Sequence, residues 1–389
     1  MSRSDFRIWS IKLSSCPRSG YKTFEEKFLE VRHHRVRLLR LRNEIFKNDV
    51  NALVVCKPQN VRYLSNFSGS TAVMLITKEN SFLLVDFRYY KQAKNEVLSS
   101  CCEVRLSSDF FNDVKIILNE LNLNKVGFES EYLTFEQHKS LSKKLQGVEL
   151  APFSHIVEDL RVVKDENEIE KISKAAYISD KVFENTLGLI KLGLTEIDIA
   201  AKIEYSIKKM GAEKTAFDTI VASGSNSAMP HAKPTNRKFG KGDFIKIDLG
   251  VMFQGYCSDM SRTVVLGKAD EKKIEIYNTV LRAQQAVLCK IKKGMKFAEA
   301  DNLARDIISS AGYGDNFGHN LGHGVGLEIH EAPTLGSKGK GFFESGMVFT
   351  IEPGIYIEGF GGVRIEDLAV LRDDSVEILT KSPKELMEL

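Results

Sequence analysis

No apolar run in the 389 residues is longer than five; residues 72–76 form one of that length. A membrane-crossing helix needs about 20 apolar residues, so none is expected. There is no apolar stretch of roughly 7–15 residues near the start, which speaks against a secretory signal. Cysteine is scarce. Cys16, Cys56, Cys101, Cys102, Cys257 and Cys289 include no C-x-x-C pair. That excludes a disulfide scaffold and points to reduced thiols in a cytosol-like compartment. Neither sign of charge predominates: Lys and Arg number 55, Asp and Glu 52, for a formal net charge of +3. No global field therefore marks a nucleic-acid binder. Residues 50–130 hold no phosphate-binding glycine pattern, so a nucleotide domain is not expected there.

What is present has globular composition, 43% hydrophobic and 28% charged, which excludes wholesale disorder, collagen and coiled coil. The length predicts about two domains. The first 42 residues carry 11 Lys/Arg against 4 Asp/Glu, a balance of +7, so the remainder sums to −4. Residues 1–20 are Ser-rich with one acid, Asp5. They resemble an organellar transit peptide, and a disordered tail or an over-long start is the preferred competing reading. Residues 31–42 interleave apolar and basic positions. They predict a basic surface helix, with a nucleic-acid patch as the weaker reading.

Residues 52–56, 71–77, 81–86 and 125–128 read as strands, and residues 89–99 and 112–121 as helices between them. This is a small α/β domain. Near residue 155 the character changes. Helices are expected over residues 165–191, from residue 195 with Thr195 as cap and Asp198 three residues on, over residues 272–292, and over residues 297–310. After Gly312 glycine dominates and strands return. Fourteen of the 28 Gly lie between Gly312 and Gly362.

Two expected hairpins place four carboxylates. In Phe244-Ile-Lys-Ile-Asp-Leu-Gly250, Lys246 and Asp248 lie opposite the apolar face. A turn centred between Phe253 and Gln254 sets Asp248 directly opposite Asp259. Like charges so placed repel, so either the register differs or something positive sits between them. Downstream, a turn centred on Gly359 sets Glu352 opposite Glu366. Four such carboxylates suit hard divalent cations, two of which could share them and hold a hydroxide between them. The segment Phe317-Gly-His-Asn-Leu-Gly-His-Gly-Val-Gly-Leu-Glu-Ile-His330 supplies His319, His323 and His330. On one regular strand His323 and His330 would face opposite ways, which predicts separate roles as ligand and substrate contact.

The pieces MPHAKPT, IDLG, YCSDMSRT, GHGVGLEIHEAP, FTIEPGIY and GVRIED together resemble the pita-bread metallopeptidases over residues 160–389. From about residue 28 the whole chain resembles the Xaa-Pro aminopeptidase and prolidase branch. The resemblance implies an α+β fold: a pita-bread catalytic domain over residues 156–389, an N-terminal α/β domain over 28–155 and a basic, disordered extension over 1–27. It implies two divalent metal ions, Mn foremost with Co, Zn or Fe as alternatives. Asp248 would bind one, Asp259 and Glu366 would bridge both, and His323 and Glu352 would complete the other. Glu352 would also be the general base. His231 and His330 would be catalytic and substrate-side histidines, and His319 and Arg364 would shape and support the substrate cavity.

The implied activity is hydrolysis of the bond between an N-terminal residue and a following proline. A prolidase acting on Xaa-Pro dipeptides is the alternative, and a non-catalytic binding protein is a third reading. Several prolidases carry an Arg where this chain has Thr334, and there it is thought to hold the dipeptide carboxylate. Arg364, Lys338 or Lys340 are the substitutes at hand, and the change favours an aminopeptidase taking longer peptides. The implied partners are peptides with proline second and a second copy of the chain in a homodimer, with neither nucleic acid nor membrane. The expected location is cytoplasmic, or organellar should residues 1–20 be a transit peptide.

Overall fold

The computed structural model describes residues 24–373 and 375–389. The expected transit peptide or tail over residues 1–20 lies outside them. The first helix, Phe24–Lys47, begins inside the extension expected over residues 1–27. No described helix is long and apolar enough to cross a membrane.

The N-terminal part is a six-stranded mixed sheet. Its strands run in the spatial order Glu103–Leu106, Ser81–Val85, Val73–Thr77, Ala52–Val55, Lys125–Glu129, Glu149–Phe153. Ala52–Val55 is apolar throughout and buried on both faces, as a central strand covered by helices should be. The outermost strands, Glu103–Leu106 and Glu149–Phe153, are mostly exposed or half-buried, with one fully buried residue between them. Neither carries the apolar run of Ala52–Val55, Val73–Thr77 or Ser81–Val85.

Helix Phe24–Lys47 keeps part of the expected basic surface, with Arg32, Arg35 and Arg40 exposed, but buries its other face. Leu38, Leu41 and Ile45 are core residues. Arg37 is buried, lies over the Tyr63 ring at 4.2 Å and pairs with Asp165 at 2.7 Å and Glu168 at 3.1 Å. These basic residues therefore do not form a continuous exposed patch, because Arg37 ties this helix to the start of the next part of the chain. A second network continues the junction. Lys57 pairs with Glu158 and Glu328, Arg161 with Glu328 and Glu331, and Lys164 with Glu331. Glu328 and Glu331 flank His330, so the junction also anchors the histidine segment.

Helices Glu166–Leu187 and Glu196–Lys209 both open on capping boxes, at Asp165 with Glu168 and at Thr195 with Asp198. In each, the cap side chain and the third helical residue satisfy each other's free backbone N–H. Helices Glu271–Lys290 and Phe297–Ser310 back a five-stranded sheet containing Gly322–Gly324, Val348–Ile351 and Asp367–Arg372. A three-stranded sheet joins Met260–Val265, Phe244–Leu249 and Ile220–Ser223.

The first carboxylate hairpin departs from its expected register. Asp248 pairs with Ser261, and Leu249 with Met260. The turn falls at Gln254 and Gly255, both with positive φ, 47° and 82°, the backbone a tight two-residue hairpin requires. The register is shifted by one pair, so Asp259 is diagonal to Asp248 on the same face. The direct like-charge opposition is thereby avoided. The second hairpin keeps the expected register. Gly354 pairs with Arg364 on one side of the carboxylates and Ile351 with Asp367 on the other. Glu352 and Glu366 thus face each other at the break between two ladders.

Behind this break lies a fully buried ion network. Arg262 Nη2 donates to Asp367 at 2.7 Å and to the Ser382 carbonyl at 2.8 Å. Arg262 Nη1 donates to the carbonyl of Glu366. Asp367 also accepts from Gln284, Thr380 and Lys384. The C-terminal segment is thereby fixed to the backbone of Glu366.

Candidate metal centre

The two hairpins and the histidine segment meet around a cavity of about 540 Å³. Asp248, Asp259, His323, Glu352 and Glu366 all line it, as do His231, His319, His330 and Arg364. Ligand atoms of Asp259, His323 and Glu366 lie within 4.8 Å of one another. His323 Nε2 is 3.5 Å from Asp259 Oδ2 and 3.4 Å from Glu352 Oε1. The other ring nitrogen, Nδ1, is 3.1 Å from the Gly324 carbonyl. A proton on Nδ1 donates there and leaves the Nε2 lone pair facing the carboxylates, the arrangement of a metal-ligating histidine.

The electrostatics fit a cation that the side chains alone do not provide. Burial, then the charges of Glu366, Asp248 and Glu352, push the Asp259 carboxyl well above its ordinary range. Burial, with Glu352 and Asp248, does the same to Glu366. Glu352 is pushed up to about 7 by burial and by Asp248. Asp248 Oδ1 is buried without a hydrogen-bond partner among the described residues. Four largely buried carboxylates that share a single guanidinium, that of Arg364, are costly, whereas oxygen-rich clusters with one imidazole suit divalent ions. The donor set therefore fits the metals expected from the sequence.

Arg364 lies inside the cluster, and most of its donors are engaged. Nη2 donates to Asp248, Nε to Ser261 at 2.8 Å, and Nη1 to the Pro230 carbonyl at 3.1 Å and Tyr356 at 3.0 Å. It is buried and orients Asp248, with four of its five N–H groups engaged within the protein. Tyr356 also meets His319 Nε2 at 3.0 Å.

His323 and His330 pack against each other, with ring centroids 4.3 Å apart. A single strand would have separated them, but the ladder shifts register between His323 and Gly324 and the chain turns back. His231 and His330 sit at the cavity wall, both exposed. Burial and then His231 lower the His330 imidazole from its ordinary range.

Lys246 and Tyr356 were not singled out from the sequence. Lys246 is fully buried and donates to the carbonyls of Met229 at 2.6 Å and Pro230 at 3.2 Å. Its ammonium lies 5.0 Å from the Tyr356 ring centroid. It thus holds the segment leading into His231. Burial, then Arg364, bring its amine down to about 6. The available signal was its place two residues before Asp248 on the same strand face.

Residues 170–373 match the profile of Metallopeptidase family M24, and residues 37–163 that of the Creatinase/Prolidase N-terminal domain. An Xaa-Pro dipeptidase of Pyrococcus horikoshii is 40% identical over 342 residues, 88% of this chain and 95% of its own. Among solved structures, an Xaa-Pro dipeptidase from Bacillus anthracis superposes with a TM-score of 0.89 at 39% identity, covering 92% of this chain and 100% of its own. An X-Pro aminopeptidase from Thermotoga maritima gives 0.84 at 38%, covering 88% and 98%.

Proposed function

We propose, because this chain belongs to metallopeptidase family M24 and has the pita-bread fold behind a creatinase-type N-terminal domain, that it hydrolyses the bond preceding proline, with Xaa-Pro dipeptides as its first substrate class. The observation that carries this is the convergence of Asp248, Asp259, His323, Glu352 and Glu366 with three further histidines on one cavity. The dipeptide preference, which replaces the aminopeptidase expectation as the main reading, is supported by similarity to the two Xaa-Pro dipeptidases. Aminopeptidase activity on longer peptides is the second reading, favoured by exposed Thr334 at the cavity wall and by the Thermotoga relative.

Two divalent ions, Mn foremost, would be held by Asp248 on one side, by His323 and Glu352 on the other, and by Asp259 and Glu366 between. When bound, such a pair lowers the pKa of water toward neutrality and polarises the scissile carbonyl. The protein's own groups supply the rest. Glu352 takes the proton of the attacking water and returns it to the imino nitrogen of the departing proline. His231 and His330 donate to the carbonyl oxygen as charge develops on it. Arg364 holds Asp248, and Tyr356 holds His319.

We also assign residues 28–155 and 156–389 to the two domains, with residues 1–27 as an extension. A cytoplasmic homodimer is the proposed working form. Support for the compartment comes from the described cysteines, Cys56, Cys101, Cys102, Cys257 and Cys289, which are free thiols.

The test is release of alanine from Ala-Pro and Ala-Ala by protein supplied in turn with Mn, Co, Zn and Fe. Cleavage of Ala-Pro with at least about tenfold preference over Ala-Ala is expected. No release with any metal, or equal cleavage of both, overturns the proposal. A preference of about tenfold or more for Ala-Pro-Ala over Ala-Pro selects the second reading. Lys246→Met frees the Met229 carbonyl and leaves that of Pro230 to Arg364 alone, and is expected to lower kcat about tenfold, with KM little changed, in the same assay. Retention of wild-type kcat would show that His231 is held without Lys246.

A further inference from the structure

The side chain of Glu196 has no part in the chemistry above, yet it is fully buried. It forms no ion pair with a described residue, and every group that donates to it is neutral. It opens helix Glu196–Lys209 and faces both ends of the segment that carries His231. Oε1 accepts from the Ser223 N–H at 2.7 Å and the Ser223 hydroxyl at 2.8 Å. Oε2 accepts from the Thr235 N–H at 2.9 Å and the Thr235 hydroxyl at 2.7 Å. The Asn226 amide donates to both oxygens at 3.2 Å. One oxygen therefore holds the end of strand Ile220–Ser223, and the other holds the point where the chain comes back to the helix. Backbone bonds close the same junction, from the Glu196 N–H to the Arg237 carbonyl and from the Ile197 N–H to that of Thr235, both at 3.2 Å. His231 forms no hydrogen bond with another described residue, so its place at the cavity wall is inherited from this backbone.

Resting on the role given above to His231, we propose that Glu196 is a positioning residue, which clamps both ends of residues 224–234 and thereby sets His231 against the scissile carbonyl. The two-ended clamp requires a carboxylate. Glutamine has one acceptor oxygen and an amide that only donates. In either orientation its NH2 would face the backbone N–H of Ser223 or of Thr235. A hydroxyl can rotate away from such a clash, but the backbone N–H cannot, and it loses its acceptor. None of the five proposed metal ligands lies within residues 224–234. Loosening this segment therefore misplaces a group that acts on the transition state while metal and substrate still bind, so the effect falls on kcat.

The experiment compares the wild type, Glu196→Gln, His231→Ala and the double variant on Ala-Pro, each as the metal-loaded full chain. Glu196→Gln is expected to lower kcat about tenfold and to leave KM within about twofold. In the His231→Ala background the same change is expected to lower kcat by less than about twofold, because the histidine it positions is gone. The rise in Tm on adding Mn to metal-free protein is expected to match that of the wild type, since no ligand is displaced. Thr235→Val removes one donor and keeps the carboxylate, and so serves should Glu196→Gln fail to fold. It is expected to lower kcat about threefold, again only where His231 is present. Wild-type kcat in Glu196→Gln overturns the proposal. So does an equal loss with and without His231, or a smaller Mn response, either of which a general loosening of the fold would give. Failure of the reading beneath it looks different, as no Ala-Pro cleavage by the wild type or as full kcat in His231→Ala, and either also overturns the proposal.

Discussion

Asp259→Ala is expected to lower kcat/KM on an Xaa-Pro peptide by at least about a thousandfold, beyond the roughly 10–100-fold cost of losing a group that only orients a metal ligand. The side chain stands among His323, Glu352 and Glu366, and its removal takes away the carboxylate assigned to both ions. Loss of activity through simple unfolding has a different signature. In metal-free wild-type protein, burial and the neighbouring Glu366, Asp248 and Glu352 make the charged form of Asp259 unfavourable. Deleting a buried carboxyl crowded by three others removes an unfavourable group, so the metal-free variant should melt no lower than the metal-free wild type. Added Mn should then raise the wild-type Tm and leave the variant nearly unmoved, since only ligand that binds the folded state stabilises it. Wild-type turnover in Asp259→Ala would show that the ligand assignment is wrong.

The second large effect is on stability. Arg262→Ala is expected to cost about 3–5 kcal/mol in urea denaturation, because it strands the carboxylate of Asp367 in a fully buried site. Lys384, Gln284 and Thr380 still reach that carboxylate, which sets the loss nearer the lower end. Pairing the change with a neutral partner, as Arg262→Met/Asp367→Leu, is expected to recover much of it, since no uncompensated acid then remains. The network has a pH sign as well. Burial raises the Asp367 carboxyl, but Arg262 and Lys384 outweigh it and hold the group below its ordinary range. Its contribution is therefore present at neutral pH and is lost as pH falls below about 4, the ordinary carboxylate range. A denaturation midpoint in Arg262→Ala within error of wild type would contradict this account of the buried pair.

Much of the candidate site was legible because side-chain alternation in strands is strict. Asp248 and Asp259 were placed on one face even though their register was off by one pair, since a shift of two residues preserves the face. What misled was the turn. Gln254 and Gly255 form the two-residue loop, and a turn centred one residue earlier gave the wrong partner. Glu352 and Glu366 were placed opposite each other because residues 358–360 contain an obvious turn glycine and the register carries through the break.

Long-range packing hid the remainder. His323 and His330 meet because the chain turns between them, which a period of two residues does not encode. The basic character of residues 31–42 concealed a core face, since Arg37 can be buried only where Asp165 and Glu168 meet it. The two outer strands of the N-terminal sheet interrupt their apolar residues, with Arg105 in one and Pro152 in the other, and so do not announce themselves. Lys246 reads as a solvated strand residue until the segment at Met229 and Pro230 is seen to cover it.

The central claim is that these five side chains hold two metal ions on which cleavage before proline depends. The most direct measurement is the rate of Ala-Pro hydrolysis by chelator-stripped protein as Mn is added back in known equivalents. Activity should be absent at zero, rise with added metal and level off near two equivalents per chain. Full activity in the stripped protein, or none at any Mn concentration, would contradict it.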